Sequence, residues 1–139
     1  MIKRKLLPTI EKVDLLTVEE AGKLPLRLRK YARWWWLRST TKYSYNAACV
    51  SPGGHVIFSG DYVNGYDNAV RPALRITNLN DYKIDSLFKF GGHRFEIIDE
   101  NTAFCLSDIG NHKFDEETNV YEKSEIKAFV EEWYESARK

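Results

Sequence analysis

A chain of 139 residues is the length of one ordinary domain, and with 43% hydrophobic, 14% aromatic and 29% charged residues it can bury its own core, which excludes a disordered chain. The net charge of +1 excludes a uniformly basic or acidic protein, yet residues 1–42 carry +7, residues 43–80 are balanced and residues 81–139 carry −6. No apolar run reaches the roughly 18–20 residues of a membrane span, and Met1–Pro8 is too short and too soon interrupted for a signal peptide, so a cytoplasmic protein is expected.

Leu6 to Leu16 mixes apolar and charged residues after Pro8 and reads as an extended or irregular lead-in. Thr17-Val18-Glu19-Glu20 fits a capping box, and Gly22 and Pro25 keep the helix it opens short. Leu26 to Lys30 alternates apolar and basic residues and fits strand or helix alike. Three of the four tryptophans then stand together in Trp34–Ser39. As a strand, this run puts Trp34, Trp36 and Arg38 on one face and Trp35 and Leu37 on the other, so it is covered on both sides and belongs in the core. Ala47–Val50 is a second strand, and Pro52-Gly53-Gly54 turns it into a hairpin with His55–Ser59. Gly60–Asn68 is a polar, turn-rich loop. Ala69–Ile76 is a further strand in which Pro72 requires an edge or a bulge.

After a break over residues 77–86, Arg94–Ile98 and Thr102–Leu106 form a second hairpin around Asp99-Glu100-Asn101, with Phe95 and Ile97 on one face. Residues 107–121 are a polar loop. Ser124 caps a last helix whose stripe is Ile126, Phe129, Val130, Trp133 and Ala137. Its acidic outer side accounts for much of the C-terminal charge, so attraction between the two halves explains the asymmetry better than a basic binding face. Cys49 and Cys105 sit in apolar strands and are expected to be buried free thiols.

The pattern Trp35-Trp36-Leu37-Arg38-Ser39, Ala47-Ala48-x-Val50, Gly54 and Val70-Arg71-Pro72-Ala73-Leu74 resembles an uncharacterised domain family common in Firmicute genomes and their phages, which is related to the C-type-lectin-like fold. The resemblance implies an α+β fold of twisted antiparallel sheets, two flanking helices and long display loops. In the usual family order, a stretch like Phe90–Asp99 and a later Tyr121-x-x-Ser124-x-Ile126 come before the tryptophan strand; here they follow it. A single circularly permuted domain is therefore expected over residues 1–139, with halves 1–80 and 83–139. Met1 should lie near Lys139, and Ala69–Ile76 should neighbour Arg94–Ile98.

No catalytic site is expected. The formylglycine-generating enzyme, similar in architecture, needs an active-site cysteine pair that Cys49 and Cys105 do not match. His55, His93 and His112 are scattered beside turns and strand ends. Asp108 and Asp115-Glu116-Glu117 lack calcium-loop spacing, and the sugar-binding motifs of calcium-dependent lectins are absent, so neither metal nor cofactor is expected.

The favoured binding residues are Tyr43, Tyr45, Asn46, Tyr62, Asn64, Tyr66, Asp67 and Asn68, whose composition is that of a protein-recognising paratope. The resemblance, through display scaffolds and diversity-generating retroelements, implies a protein partner and a phage or prophage origin. The plain alternative is that these residues only build turns. A second reading is nucleic-acid binding by segment 23–42, where Lys23, Arg27, Arg29, Lys30, Arg33, Arg38 and Lys42 interleave with Tyr31 and the tryptophans. A third is a subunit of a larger assembly. Trp34, Trp35, Trp36, Arg38 and Arg71 are assigned structural roles, the two arginines finding acceptors that hold the display loops.

Overall fold

The computed structural model describes residues 8–77 and 83–139. Along them run β1 (Thr9–Asp14), α1 (Val18–Lys23), α2 (Leu26–Arg29), β2 (Trp35–Thr40), β3 (Asn46–Val50), β4 (Val56–Tyr62), β5 (Ala73–Thr77), β6 (Leu87–Phe90), β7 (His93–Asp99), β8 (Thr102–Cys105), a 3-10 turn (Tyr121–Lys123) and α3 (Glu125–Ala137). The fold is α+β. One twisted antiparallel sheet has the order β1-β5-β8-β7-β6 and the other the order β2-β3-β4. Ahead of β5, Ala69 makes isolated bridges to Trp35 of β2 and to Asn111.

The alternation of side chains along the strands divides the core. From β2, Trp36 enters a cluster with Cys49, Leu74, Phe95, Ile97 and Phe114, which α3 closes with Ile126, Val130 and Tyr134. Trp35 and Leu37 point the other way, toward Val50, Ala73 and Phe104, and Ala21, Leu24 and Leu28 of the α1–α2 corner close that side. Helices thus cover both faces of the sheets: two short ones and one long one, where two were expected. Burying Trp35 and Trp36 completely makes each a large contributor, with about 3–5 kcal/mol lost on truncation to alanine.

Local chemistry fixes the element ends. Thr17 and Glu20 complete the capping box of α1, and the Ser124 hydroxyl accepts from the Lys127 amide at the start of α3. The Pro52-Gly53-Gly54 turn forms, Gly54 adopting φ +89° as the Ser51 amide donates to the His55 carbonyl. Cys49 and Cys105 are buried free thiols, and burial pushes Cys49 up to about 12.

Two open readings are decided: the lead-in is extended, as strand β1 paired with β5, and Leu26–Arg29 is helical, a single turn. Several expectations are corrected. The strand expected from Ala69 starts at Ala73, because Pro72 interrupts the ladder; β5 is interior, with Pro72 just ahead of it rather than on an edge. β5 neighbours β8, which separates it from β7, so the expected pairing with Arg94–Ile98 does not occur. β6 pairs with β7 and had no sequence expectation. Met1, and residues 78–82 of the expected join across 77–86, lie outside the described residues. α3 does lie against β1: Lys12 and Val13 share a cleft with Glu131, Tyr134 and Glu135.

Candidate functional site

The two loops that carry the tyrosines are built at one end of the three-stranded sheet. Residues 41–45 connect β2 to β3, and residues 63–68 follow β4. Thr41 Oγ1 receives the Tyr43 amide at 3.1 Å and lies 2.9 Å from the Tyr43 carbonyl and 3.0 Å from that of Asn46, sharing its one proton between them. Buried Asn119 completes the clamp. Its Nδ2 reaches the carbonyls of Thr41, Tyr43 and Asn46 at 3.2, 3.1 and 3.0 Å. Across the gap, the Val63 amide donates to the Tyr45 carbonyl at 2.8 Å, and the Val63 carbonyl accepts from Phe114 and Asp115. Buried Val63 thereby ties both tyrosine loops to the loop before α3.

On this frame Tyr43, Tyr45, Tyr62 and Tyr66 stay between 39% and 64% exposed. Tyr45 stands between Tyr43, at 6.1 Å between ring centroids, and Tyr62, at 6.0 Å with planes 25° apart. Lys42 lies over the Tyr43 ring at 5.2 Å and Lys113 over Tyr66 at 5.6 Å. Asn64 and Asp67 are also exposed. Asn46 and Asn68 differ from expectation. Asn46 is half-buried and donates through Nδ2 to the Ser59 carbonyl, and Asn68 is buried with Nδ2 3.4 Å from Asp61 Oδ2. Both hold loops and present little to a partner. Phe58, 68% exposed on β4, belongs with the surface residues and was not expected there.

The structural residues also sort differently. Trp35 and Trp36 are core, but Trp34 is 43% exposed because the pleated strand begins only at Trp35; its backbone carbonyl accepts from Ala69. Arg38 is half exposed and among the described residues its side chain reaches Asp14, at 3.8 Å, rather than the loops. Arg71 is buried on the α1–α2 side, away from the tyrosines. It donates to the Leu28 carbonyl at 2.9 Å, and its guanidinium lies 4.4, 4.7 and 4.4 Å from the rings of Tyr31, Trp35 and Phe104. Burial lowers it to about 10. Tyr31, which donates to Asp108, is raised to about 12 by burial and by that carboxylate.

Arg75, rather than Arg38 or Arg71, is engaged by several acceptors, and none of these is on the tyrosine loops. It binds Asp14 at 2.8 Å, Glu20 at 2.5 and 3.0 Å, and Thr102 at 3.0 Å, joining β1, α1, β5 and β8. In the basic segment, Arg27 is held bidentate by buried Glu96 at 3.0 and 2.7 Å, Arg29 donates to the carbonyls of Gly54 and Leu24, and Arg33 donates to Asn111. Lys23 and Lys30 are exposed.

The remaining polar groups are dispersed. His93 Nδ1 meets Ser107 Oγ at 2.8 Å, His112 stacks on Phe129 at 4.4 Å, and His55 is exposed. Asp115 accepts three backbone amides, those of Glu117, Thr118 and Glu125, at 2.9, 3.0 and 3.0 Å. Burial raises its carboxyl, but those hydrogen bonds outweigh it and hold the group below the ordinary range. Among the described residues no group of three or more His, Cys, Asp or Glu is placed to hold a metal ion. A cleft of about 300 Å³ beside α1 is bounded by Glu20, Lys23, Leu28, Asp85, Glu96 and Asp99, but Glu20 and Glu96 are already engaged by Arg75 and Arg27. Among the described residues no helix is long and apolar enough to cross a membrane. Comparison of the chain with family models, with curated proteins and with solved structures gives no match.

Proposed function

We propose that this chain is a non-catalytic binding domain whose tyrosine-rich end recognises a protein. The observation that carries the reading is the Tyr43–Tyr45–Tyr62 stack, exposed in side chain but fixed in backbone by Asn119, Thr41 and Val63. Stiff aromatic side chains on an ordered loop lose little entropy on docking, which is what a recognition surface needs. Asn64 and Asp67 add exposed polar groups, while Asn46 and Asn68 belong to the frame.

The accompanying fold reading is a circularly permuted C-type-lectin-like domain of phage or prophage origin, acting in the cytoplasm. Two twisted antiparallel sheets with helices on both faces, and a last helix packed on the first described strand, support the fold part of it. The nucleic-acid reading of segment 23–42 has less support, since Arg27, Arg29 and Arg33 already have partners within the chain.

The test is affinity capture with the wild type and with Tyr45→Ala/Tyr62→Ala, after thermal melts establish that the variant folds. A protein retained by the wild type and lost by the variant supports the reading. Equal retention by both refutes it.

A further inference from the structure

We propose that the partner presents a basic, arginine-bearing protein face to the tyrosine surface, an inference that rests on the binding reading above. The four exposed tyrosines are framed by charge of predominantly one sign. Asp61 and Asp67 adjoin Tyr62 and Tyr66 in the chain, and Glu116 reaches the same place through its ion pair with Lys113, whose ammonium lies over the Tyr66 ring. Glu117 is exposed on the loop that Asn119 joins to Tyr43.

Of these four carboxylates, Asp61 already accepts from the Tyr62 amide and the Asn68 side chain, and Glu116 is paired with Lys113, which leaves Asp67 and Glu117 open. Among the described residues two lysines stand beside them. Lys113 is already committed, to Glu116 and, at 3.3 Å, to Glu125. That leaves Lys42, on Tyr43. A guanidinium suits such a surface in two ways at once: its flat face stacks on a phenol ring, and its edge forks onto a carboxylate. Lys42 and Lys113 place cations 5.2 and 5.6 Å from the centroids of Tyr43 and Tyr66, so two of the four rings already carry a cation within the chain. A nucleic acid would instead bring phosphates against the carboxylates with too few lysines to neutralise them.

The test titrates the full chain, its tyrosine rings labelled for NMR, with an alternating Gly-Arg peptide, an alternating Gly-Glu peptide and an oligothymidylate of about 20 nucleotides. The expected result is saturable shifts of Tyr43, Tyr45, Tyr62 and Tyr66 with the arginine peptide alone. Affinity should weaken about fivefold in Asp67→Asn/Glu117→Gln, the loss of two exposed ion pairs, with the melting temperature unchanged. No binding of the arginine peptide, or unchanged affinity in that variant, overturns the proposal. Tyrosine-dependent binding of the glutamate peptide or the oligonucleotide overturns the basic partner while leaving the surface as a binding site. Full arginine-peptide affinity in a folded Tyr45→Ala/Tyr62→Ala variant overturns the site itself, and the binding reading with it.

Discussion

Replacing Asn119 by alanine tests whether the tyrosine loop is held from beneath. The side chain is buried, and one amide nitrogen serves three carbonyls at 3.0–3.2 Å. That nitrogen has two protons, so at most two full hydrogen bonds are lost, about 2 kcal/mol in all. For a domain of this size roughly 3–4 °C of melting temperature accompanies each kcal/mol, so a fall of about 7 °C is expected. Asn119→Asp should cost more at neutral pH, because an ionised carboxylate of the same shape would face three carbonyl oxygens with nothing to donate. Burial among acceptors raises the folded-state pKa of that carboxyl above its unfolded value. The variant's stability is therefore greatest below the ordinary carboxyl range of about 4 and falls as pH rises through the raised folded value. Urea unfolding at pH 4 to 8 reads both effects, and hydrogen exchange at the Asn46 and Val63 amides, which donate to Tyr43 and Tyr45, reads the loop. Wild-type stability and wild-type exchange in Asn119→Ala would show that Thr41 and the Val63–Tyr45 hydrogen bond order the loop without it.

Half-buried Arg75 and buried Arg71 should respond differently to methionine. Arg75→Met strands Asp14 and Glu20 and is expected to cost about 3–5 kcal/mol, whereas Arg71, with a carbonyl and three rings but no carboxylate bonded to it, should tolerate the change within about 1 kcal/mol; urea unfolding compares them. The pH profile separates Arg75's partners. Burial raises Glu20, but the Arg75 and Thr17 hydrogen bonds outweigh it and leave the group lowered. Its contribution is therefore present above the ordinary glutamate pKa and lost as pH falls through the folded value, and that acid-side loss should shrink in Arg75→Met. Asp14 is raised by burial, against the pull of Arg75. Its contribution is full below the ordinary aspartate pKa and lost as pH rises through the folded value, a loss that should grow in the variant. Gly60→Ala should destabilise by at least about 1–3 kcal/mol, because φ is +75° and the added carbon would stand 2.2 Å from the Ala47 carbonyl oxygen, while Gly22→Ala in α1 meets nothing within 4 Å and should stabilise by about 0.5–1 kcal/mol. Thermal melts of the pair suffice, and equal effects would refute the strain at Gly60.

What could be read from the sequence was what local chemistry decides. The Thr17 capping box, the Pro52-Gly53-Gly54 hairpin, the Asp99-Glu100-Asn101 hairpin and the stripe of α3 all arise from contacts within a few residues, and each formed. The stripe nevertheless missed Tyr134, which is buried against β1 by tertiary packing. β1 was legible only as extended or irregular because four of its six positions face solvent or lie only half covered, so its sequence lacks an apolar run; pairing with β5 makes it a strand. Trp34 shows the limit of alternation: the period was right for Trp35 and Trp36, but it does not say where the strand starts. For the surface, tyrosine composition identified the exposed rings. Nothing in composition marks Asn119, whose three acceptors lie 73–78 residues away in the chain.

The form of the proposed recognition follows from the state of β4, an outer strand of its sheet. An open edge invites another strand, but here Phe58, Ser59 and Gly60 stand opposite the single residue Ala48, between the Cys49–Ile57 and Ala47–Asp61 pairs. The excess length bends the edge, Gly60 takes a left-handed turn that only glycine accepts without strain, and Asn46 Nδ2 occupies the Ser59 carbonyl. A regular ladder cannot extend across such a strand. The same bulge leaves Phe58 68% exposed, and beyond it Tyr62 stacks on Tyr45. Under the proposed binding reading, a partner meeting this end of the molecule finds side chains rather than a backbone edge, and its specificity comes from aromatic faces and the carboxylates beside them.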